Sequence, residues 1–260
     1  MRILFLGDII GETGRKIIAK RLDTITDEYR INLVIANGEN AAGGFGITPK
    51  IADDLLELGI DVITSGNHIW DKKEIYPYIE KEKRLLRPAN YPEGVPGAGD
   101  ITVYTNSGDR LVVLNLVGRV FMGNYDCPFR YFKREIARLK AQSKTIIIDF
   151  HAEATSEKIA FGWFVDGEVS AVIGTHTHVQ TADEQILPKG TAYITDAGMT
   201  GSLNSVIGME KDAVLEKFLT QMPKRFEVAK GHHVLSGVVV DIDETTGKAV
   251  SIERLQIKDC

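Results

Sequence analysis

An α/β fold is the architecture this sequence predicts, from two observations. Short apolar runs alternate with longer amphipathic stretches along most of its 260 residues, the rhythm of a sheet with helices on its faces. Several of those apolar runs also end in a residue able to bind metal. Taken in order, the runs that read as strands are Ile3–Leu6, Leu33–Ala36, Val62–Thr64, Ile101–Tyr104, Leu111–Leu116, Thr145–Phe150, Ala171–Ile173 and Ala192–Thr195. Helices are expected over Gly14–Tyr29, Pro49–Leu58, Lys72–Glu80, Phe129–Lys140, Ser156–Val165 and Glu210–Thr220. Pro49 after Thr48 marks the second helix start, because proline suits the first helical turn and threonine caps it. The run from His233 to Asp243, a Gly-containing turn and the run from Lys248 read as a hairpin that completes a sheet.

Composition narrows the class. The apolar fraction of 43% and the charged fraction of 26% are those of an ordinary globular chain. No apolar run reaches the ~20 residues of a bilayer span, and the apolar opening after Arg2 is too short for a signal-peptide core; the cytoplasm is the expected location. The formal net charge of −5 offers no footprint for duplex nucleic acid, although RNA and self-association stay compatible with it. Cys127 and Cys260 have no CxxC spacing, so no structural disulfide is expected. The Pro/Gly-rich stretch from Arg87 to Gly99 is a loop rather than a linker, since no shift in composition follows it. Residues 1–260 read as a single domain.

The polar residues carry the chemistry. Asp8 follows the first strand, Glu39-Asn40 the second, Asn67-His68 the third, His151 the run Thr145–Phe150, and His176-Thr177-His178 the run Ala171–Ile173. In a parallel sheet the carboxyl ends face one side, so ligands from separate strands converge in one crevice. His176 and His178 are two apart, and in extended chain they point the same way. Each residue alone has an ordinary alternative, a turn, a cap or a buried hydrogen-bonded histidine, but together they make the coincidence hard to dismiss. Carboxylate, amide and imidazole form a mixed set that suits iron, manganese or zinc better than calcium. Seven ligands exceed one tetrahedral centre, so two divalent ions are expected. A rival reading takes Gly7, Gly11 and Gly14 as a phosphate cradle, but their spacing is not that of a dinucleotide motif and leaves the histidines unexplained.

Gly7-Asp8, Gly66-Asn67-His68 and Gly174-Thr-His176-Thr-His178 resemble the blocks of the calcineurin-like metallophosphoesterases, with Ile10 and Gly38-Glu39-Asn40 as departures. Those departures, with Asn37-Gly-Glu-Asn-Ala-Ala-Gly-Gly, Gly66-Asn-His-Ile-Trp-Asp71, the block from Asp149 to Lys158 and the block from Thr195 to Gly201, are similar to the YmdB-like phosphodiesterase subfamily. The resemblance implies a four-layer sandwich of two mixed β-sheets flanked by helices, and hydrolysis of 2′,3′-cyclic nucleotides or related phosphodiesters by a metal-activated water; phosphomonoesters stay open as a further substrate class. It implies that Asp8, Glu39, Asn40 and His178 hold one ion and that Glu39, Asn67, His151 and His176 hold the other, iron or manganese before magnesium or zinc. It makes His68 the catalytic acid. Asp71, Asp149, Glu153 and Asp196 are candidates to orient ligand imidazoles, each with an ordinary cap or surface carboxylate as the alternative. The alternative from another class is a metal-containing regulatory or RNA-binding protein with little turnover.

Overall fold

The computed structural model describes residues 1–105 and 107–259; Cys260 lies outside the described residues, and Cys127 is a half-buried free thiol. In chain order the elements are β1 (Arg2–Leu6), β2 (Asp8–Ile9), α1 (Gly11–Tyr29), β3 (Leu33–Asn37), α2 (Pro49–Glu57), β4 (Val62–Thr64), α3 (Ile75–Ile79), β5 (Asp100–Tyr104), β6 (Arg110–Val117), α4 (Pro128–Gln142), β7 (Thr145–His151), α5 (Thr155–Val165), β8 (Ala171–Thr175), β9 (Gln185–Ile186), β10 (Ala192–Ile194), β11 (Met199–Ser202), α6 (Lys211–Thr220), β12 (His233–Asp243) and β13 (Lys248–Asp259).

Period-two alternation sorts the side chains of each strand onto two faces. Leu4 and Leu6 of β1 pack with Ile17, Ile18 and Leu22 of α1 and Leu55 of α2. Ile3 and Phe5, on the other face, meet Val113, Ile147, Ile173 and Ile194 of the second sheet. The second sheet's far face carries Leu114, Ile148 and Phe150 against Phe132 of α4 and Phe161 of α5. The layers therefore run helix, sheet, sheet, helix, as expected.

The first sheet has the order β2-β11-β12-β1-β3-β4 with β13 on β12, and the second has the order β5-β6-β7-β8-β10-β9. Both are mixed. Strands β1, β3 and β4 are parallel while β12 runs against β1; β6, β7, β8 and β10 are parallel while β5 and β9 run against their neighbours. The parallel blocks place the carboxyl ends of β1, β3 and β4 beside those of β7 and β8.

Two differences from expectation have local causes. The helix expected over Lys72–Glu80 spans only Ile75–Ile79, because Pro77 has no N–H for the Lys73 carbonyl and its ring crowds it, so this proline is accommodated only in a first turn. Strands β2, β9 and β11 have two to four residues, too few for alternation to show.

Candidate metal centre

The site is built where five strands end. Strand β3 runs into Asn37-Gly38-Glu39-Asn40, and register pairs Asn37 with Thr64 at the end of β4. His151 closes β7 and pairs with Thr175, the last residue of β8. Asp8, Glu39, Asn40 and His151 are all buried. A charged or imidazole group at such depth needs a partner, and here the partners are one another.

His151 Nε2 lies 3.0 Å from Glu39 Oε1, 3.2 Å from Asn67 Oδ1 and 2.9 Å from His176 Nδ1. Glu39, His151 and His176 each bring a ligand atom within 4.8 Å of the others. Two donor atoms about 2.1 Å from a shared ion stand about 3–3.5 Å apart at tetrahedral or octahedral angles, so this spacing matches a coordination shell. Next to it, His178 Nε2 lies 3.9 Å from Asp8 Oδ1 and 3.3 Å from the Asn40 amide nitrogen. Asp8 Oδ1 is buried with no hydrogen-bond partner, an orphan of the kind a cation satisfies. Glu39 stands between the two groups, with Oε1 also 3.4 Å from the Asn40 amide. The residues present therefore fit the metals the sequence implies, and all seven expected ligands are brought together.

The backbone is strained there. His176, His178 and Ile207 have φ of 102°, 66° and 46°, a region that side-chain-bearing residues avoid unless the surroundings impose it. The Asp8 carboxylate takes the His176 amide at 3.1 Å, and His178 Nδ1 donates to the Ile207 carbonyl at 2.9 Å, which leaves Nε2 facing Asp8. Gly66 is required for a different reason: a Cβ there would lie 2.1 Å from the His151 ring.

Burial pushes the Glu39 carboxyl up, but the charge of His151 and its hydrogen bond outweigh that and hold it down at about 2. Burial pushes His151 down, and Glu39 reverses the effect, raising it to about 9. His176, buried and beside His151, falls to about 3. Glu39 thus favours its carboxylate and His151 its imidazolium, while His176 favours the neutral ring.

Not every expected supporter orients an imidazole directly. Asp71 Oδ2 accepts from His68 Nδ1 at 2.8 Å, and Glu153 contacts His176 Nε2 at 3.1 Å. Asp149 works through Thr175, whose hydroxyl donates to it at 2.6 Å and faces His151 Nδ1 at 2.9 Å; burial raises this carboxyl to about 6. Asp196 touches none of the site imidazoles. It takes the Thr177 amide and hydroxyl at 3.1 and 2.8 Å and forms a buried ion pair with Lys158 at 2.7 Å. The sequence reading missed Thr175, Asn37 and Lys158 as structural parts of the centre. Lys158 had a signal: it occupies the stripe 158, 161, 162, 165 that α5 buries, where an apolar residue belongs.

The rival cradle fails on packing. A Cβ on Gly7 would lie 2.0 Å from the Gly198 carbonyl, and one on Gly14 2.2 Å from the Thr200 carbonyl. These glycines admit β11 and its approach rather than a phosphate.

The comparisons agree with this geometry. Residues 4–255 match the family model described as YmdB-like protein. The chain belongs to the YmdB-like family. It is 52% identical over 259 residues to a Bacillus subtilis protein named 2′,3′-cyclic-nucleotide 2′-phosphodiesterase, spanning 100% of this chain and 98% of the relative. It is 38% identical over 264 residues to a Mycoplasma pneumoniae protein named putative phosphatase/phosphodiesterase, spanning 99% and 93%. A solved structure of a hypothetical protein from Thermus thermophilus superposes with a TM-score of 0.94 at 41% identity, covering all of both chains. Another, described as a novel phosphatase from Mycoplasma pneumoniae, superposes at 0.93 with 37% identity, covering 99% and 93%.

Proposed function

We propose that this YmdB-like chain is a metal-dependent phosphodiesterase acting on 2′,3′-cyclic nucleotides or related phosphodiesters, with phosphomonoesters within its range. The observation that carries this reading is the grouping of Glu39, His151 and His176 beside Asp8, Asn40, Asn67 and His178, with Glu39, Asn40, His176 and His178 lining a cavity of about 540 Å³ open to solvent. The name and the 52% identity of the Bacillus relative support it. Two divalent ions, iron or manganese by the chemistry of the donor set, would supply Lewis acidity toward the phosphoryl oxygens and a nucleophile at neutral pH.

The chain's own residues do the rest. Glu39 would be the carboxylate that serves both ions, and Asp8 would be the other anionic ligand. His68 lines the cavity with Nδ1 engaged by Asp71, so Nε2 is the nitrogen left to donate a proton. Water adds to phosphorus, one ester P–O bond breaks, the departing ribose oxygen takes the His68 proton, and the proton released from water passes to solvent. The His68 amide donates to Glu39 Oε2 at 2.9 Å, which ties the acid to the metal ligand set. Residues 1–260 are taken as one domain, because β1 and the β12–β13 hairpin come from opposite ends of the chain and lie in one sheet; the cytoplasm is the proposed location.

The test is hydrolysis of 2′,3′-cyclic AMP by protein reconstituted with manganese or ferrous ion, against metal-stripped protein. Turnover that requires metal supports the reading. Metal-loaded protein inert toward every phosphodiester tried would point instead to a metal-containing binding protein.

A further inference from the structure

The cavity onto which Glu39, Asn40, His176 and His178 open also has an apolar lining that no part of the hydrolytic chemistry uses. That lining includes Phe45, Ile207, Met209, Phe218 and Phe226, with Lys217 among them, and Phe45 packs edge-on against His68 at 5.2 Å between ring centroids. Phe218 is 72% exposed and Ile207 50%, apolar surface left to solvent beside a polar centre, which usually marks a binding site. Lys217 Nζ sits 4.9 Å over the Phe226 ring, adding a cation to an aromatic face.

We propose that this wall is the seat of the nucleobase, so that the chain selects phosphodiesters bearing an aromatic heterocycle over those with a small or charged substituent. The inference rests on the phosphodiesterase reading and deepens it. Continuity carries the argument: the Ile207 carbonyl fixes the His178 ring while the same residue lines the recess, so a phosphate at the ligand cluster has its substituent at the wall. The segment is also held in place. Val206 and Met209 exchange two backbone hydrogen bonds, at 2.9 and 3.0 Å, and Glu210 donates to Glu227 at 2.9 Å. Such a wall is formed before substrate arrives. Aromatic and aliphatic faces receive every base by stacking and read no sequence, so purines, with the larger face, are favoured over pyrimidines and all bases are accepted. An anionic substituent would meet Glu153 and an apolar surface with Lys217 as its cation, and gains little.

The experiment compares kcat/KM for 2′,3′-cyclic AMP with that for the 2,3-cyclic phosphate of methyl riboside, which differs only in lacking the base. It uses metal-loaded wild type, Phe218→Ala, Phe226→Ala and, as a control, Leu219→Ala, whose side chain lies on the same helix at 85% exposure outside the cavity. Wild type is expected to favour the nucleotide, and Phe218→Ala or Phe226→Ala to reduce that preference roughly tenfold, within the range for losing one stacking partner. Leu219→Ala should keep the wild-type ratio. Calorimetric binding of adenosine 3′-monophosphate should weaken in step, a readout independent of turnover. Equal kcat/KM for both substrates in wild type would overturn the nucleobase seat alone, whereas turnover of neither would overturn the phosphodiesterase reading as well. A Phe218→Ala protein that changes its oligomeric state but not its substrate ratio would assign the wall to a second copy of the chain and overturn the proposal.

Discussion

His68 and Glu39 sit a hydrogen bond apart yet are assigned different work, and substitution separates them. On the proposed roles, His68→Ala removes the proton donor and none of the metal ligands, so kcat should fall by about 10²–10⁴ with metal content unchanged by elemental analysis. Glu39→Gln removes the buried carboxylate that faces His151, and protein purified from it should carry less metal. Equal loss of metal in the two variants would make His68 a structural support. At this scale the sequence was most readable. Asp8, Glu39, Asn40, Asn67, His151, His176 and His178 follow apolar strands, and the carboxyl ends of parallel strands share one side. The left-handed backbone of His176 and His178 was not readable, since neither residue type signals it. It replaces the simple same-side geometry of an extended pair with one imposed by the Asp8 and Ile207 contacts.

At the scale of elements, α5 ties down the end of β8 through Lys158. Lys158 reaches from its buried stripe to the Thr175 carbonyl and the Asp196 carboxylate, each at 2.7 Å. Both charges are buried, so removing one strands the other. Lys158→Met should cost about 3–5 kcal/mol of stability, measured by urea unfolding. Adding Asp196→Asn should return part of that loss by removing the stranded charge. A cost under about 1 kcal/mol, the range of exposed pairs, would show that the pair is not holding the loop. Most element bounds were legible because amphipathic helices and all-apolar strands have distinct periods. Exceptions were α3, shortened by Pro77, and β2, β9 and β11, whose pairing is decided by neighbours rather than by their own residues.

For the whole molecule, metal and proton would compete for the one buried centre proposed above. His151 has a folded-state pKa raised to about 9 from 6.5. Without metal its contribution to stability is therefore complete below about pH 6.5 and lost as pH rises through about 9. Metal binding expels the same proton, so the stabilisation from metal grows over that interval. Thermal unfolding of loaded and stripped protein should show Tm values that diverge from pH 6.5 to 9. At metal a thousandfold above its dissociation constant, the gain is about 4 kcal/mol. A constant gap across that range would mean that His151 does not carry the displaced proton, and His151→Gln should remove the divergence.

The sequence by itself determined the α/β class and the strands and helices of any length, and it proposed the residues of the centre, because each of these is written in local periodicity or in residue type at a strand end. Only the tertiary structure decided how they meet. The pairing of β12 with β1 across the length of the chain, the passage of Asp149 to His151 through Thr175, the burial of Lys158 against Asp196 and the aromatic wall beside His178 all join residues far apart in sequence. Such contacts depend on which faces the packed sheets and helices bury, and no window along the chain contains that information.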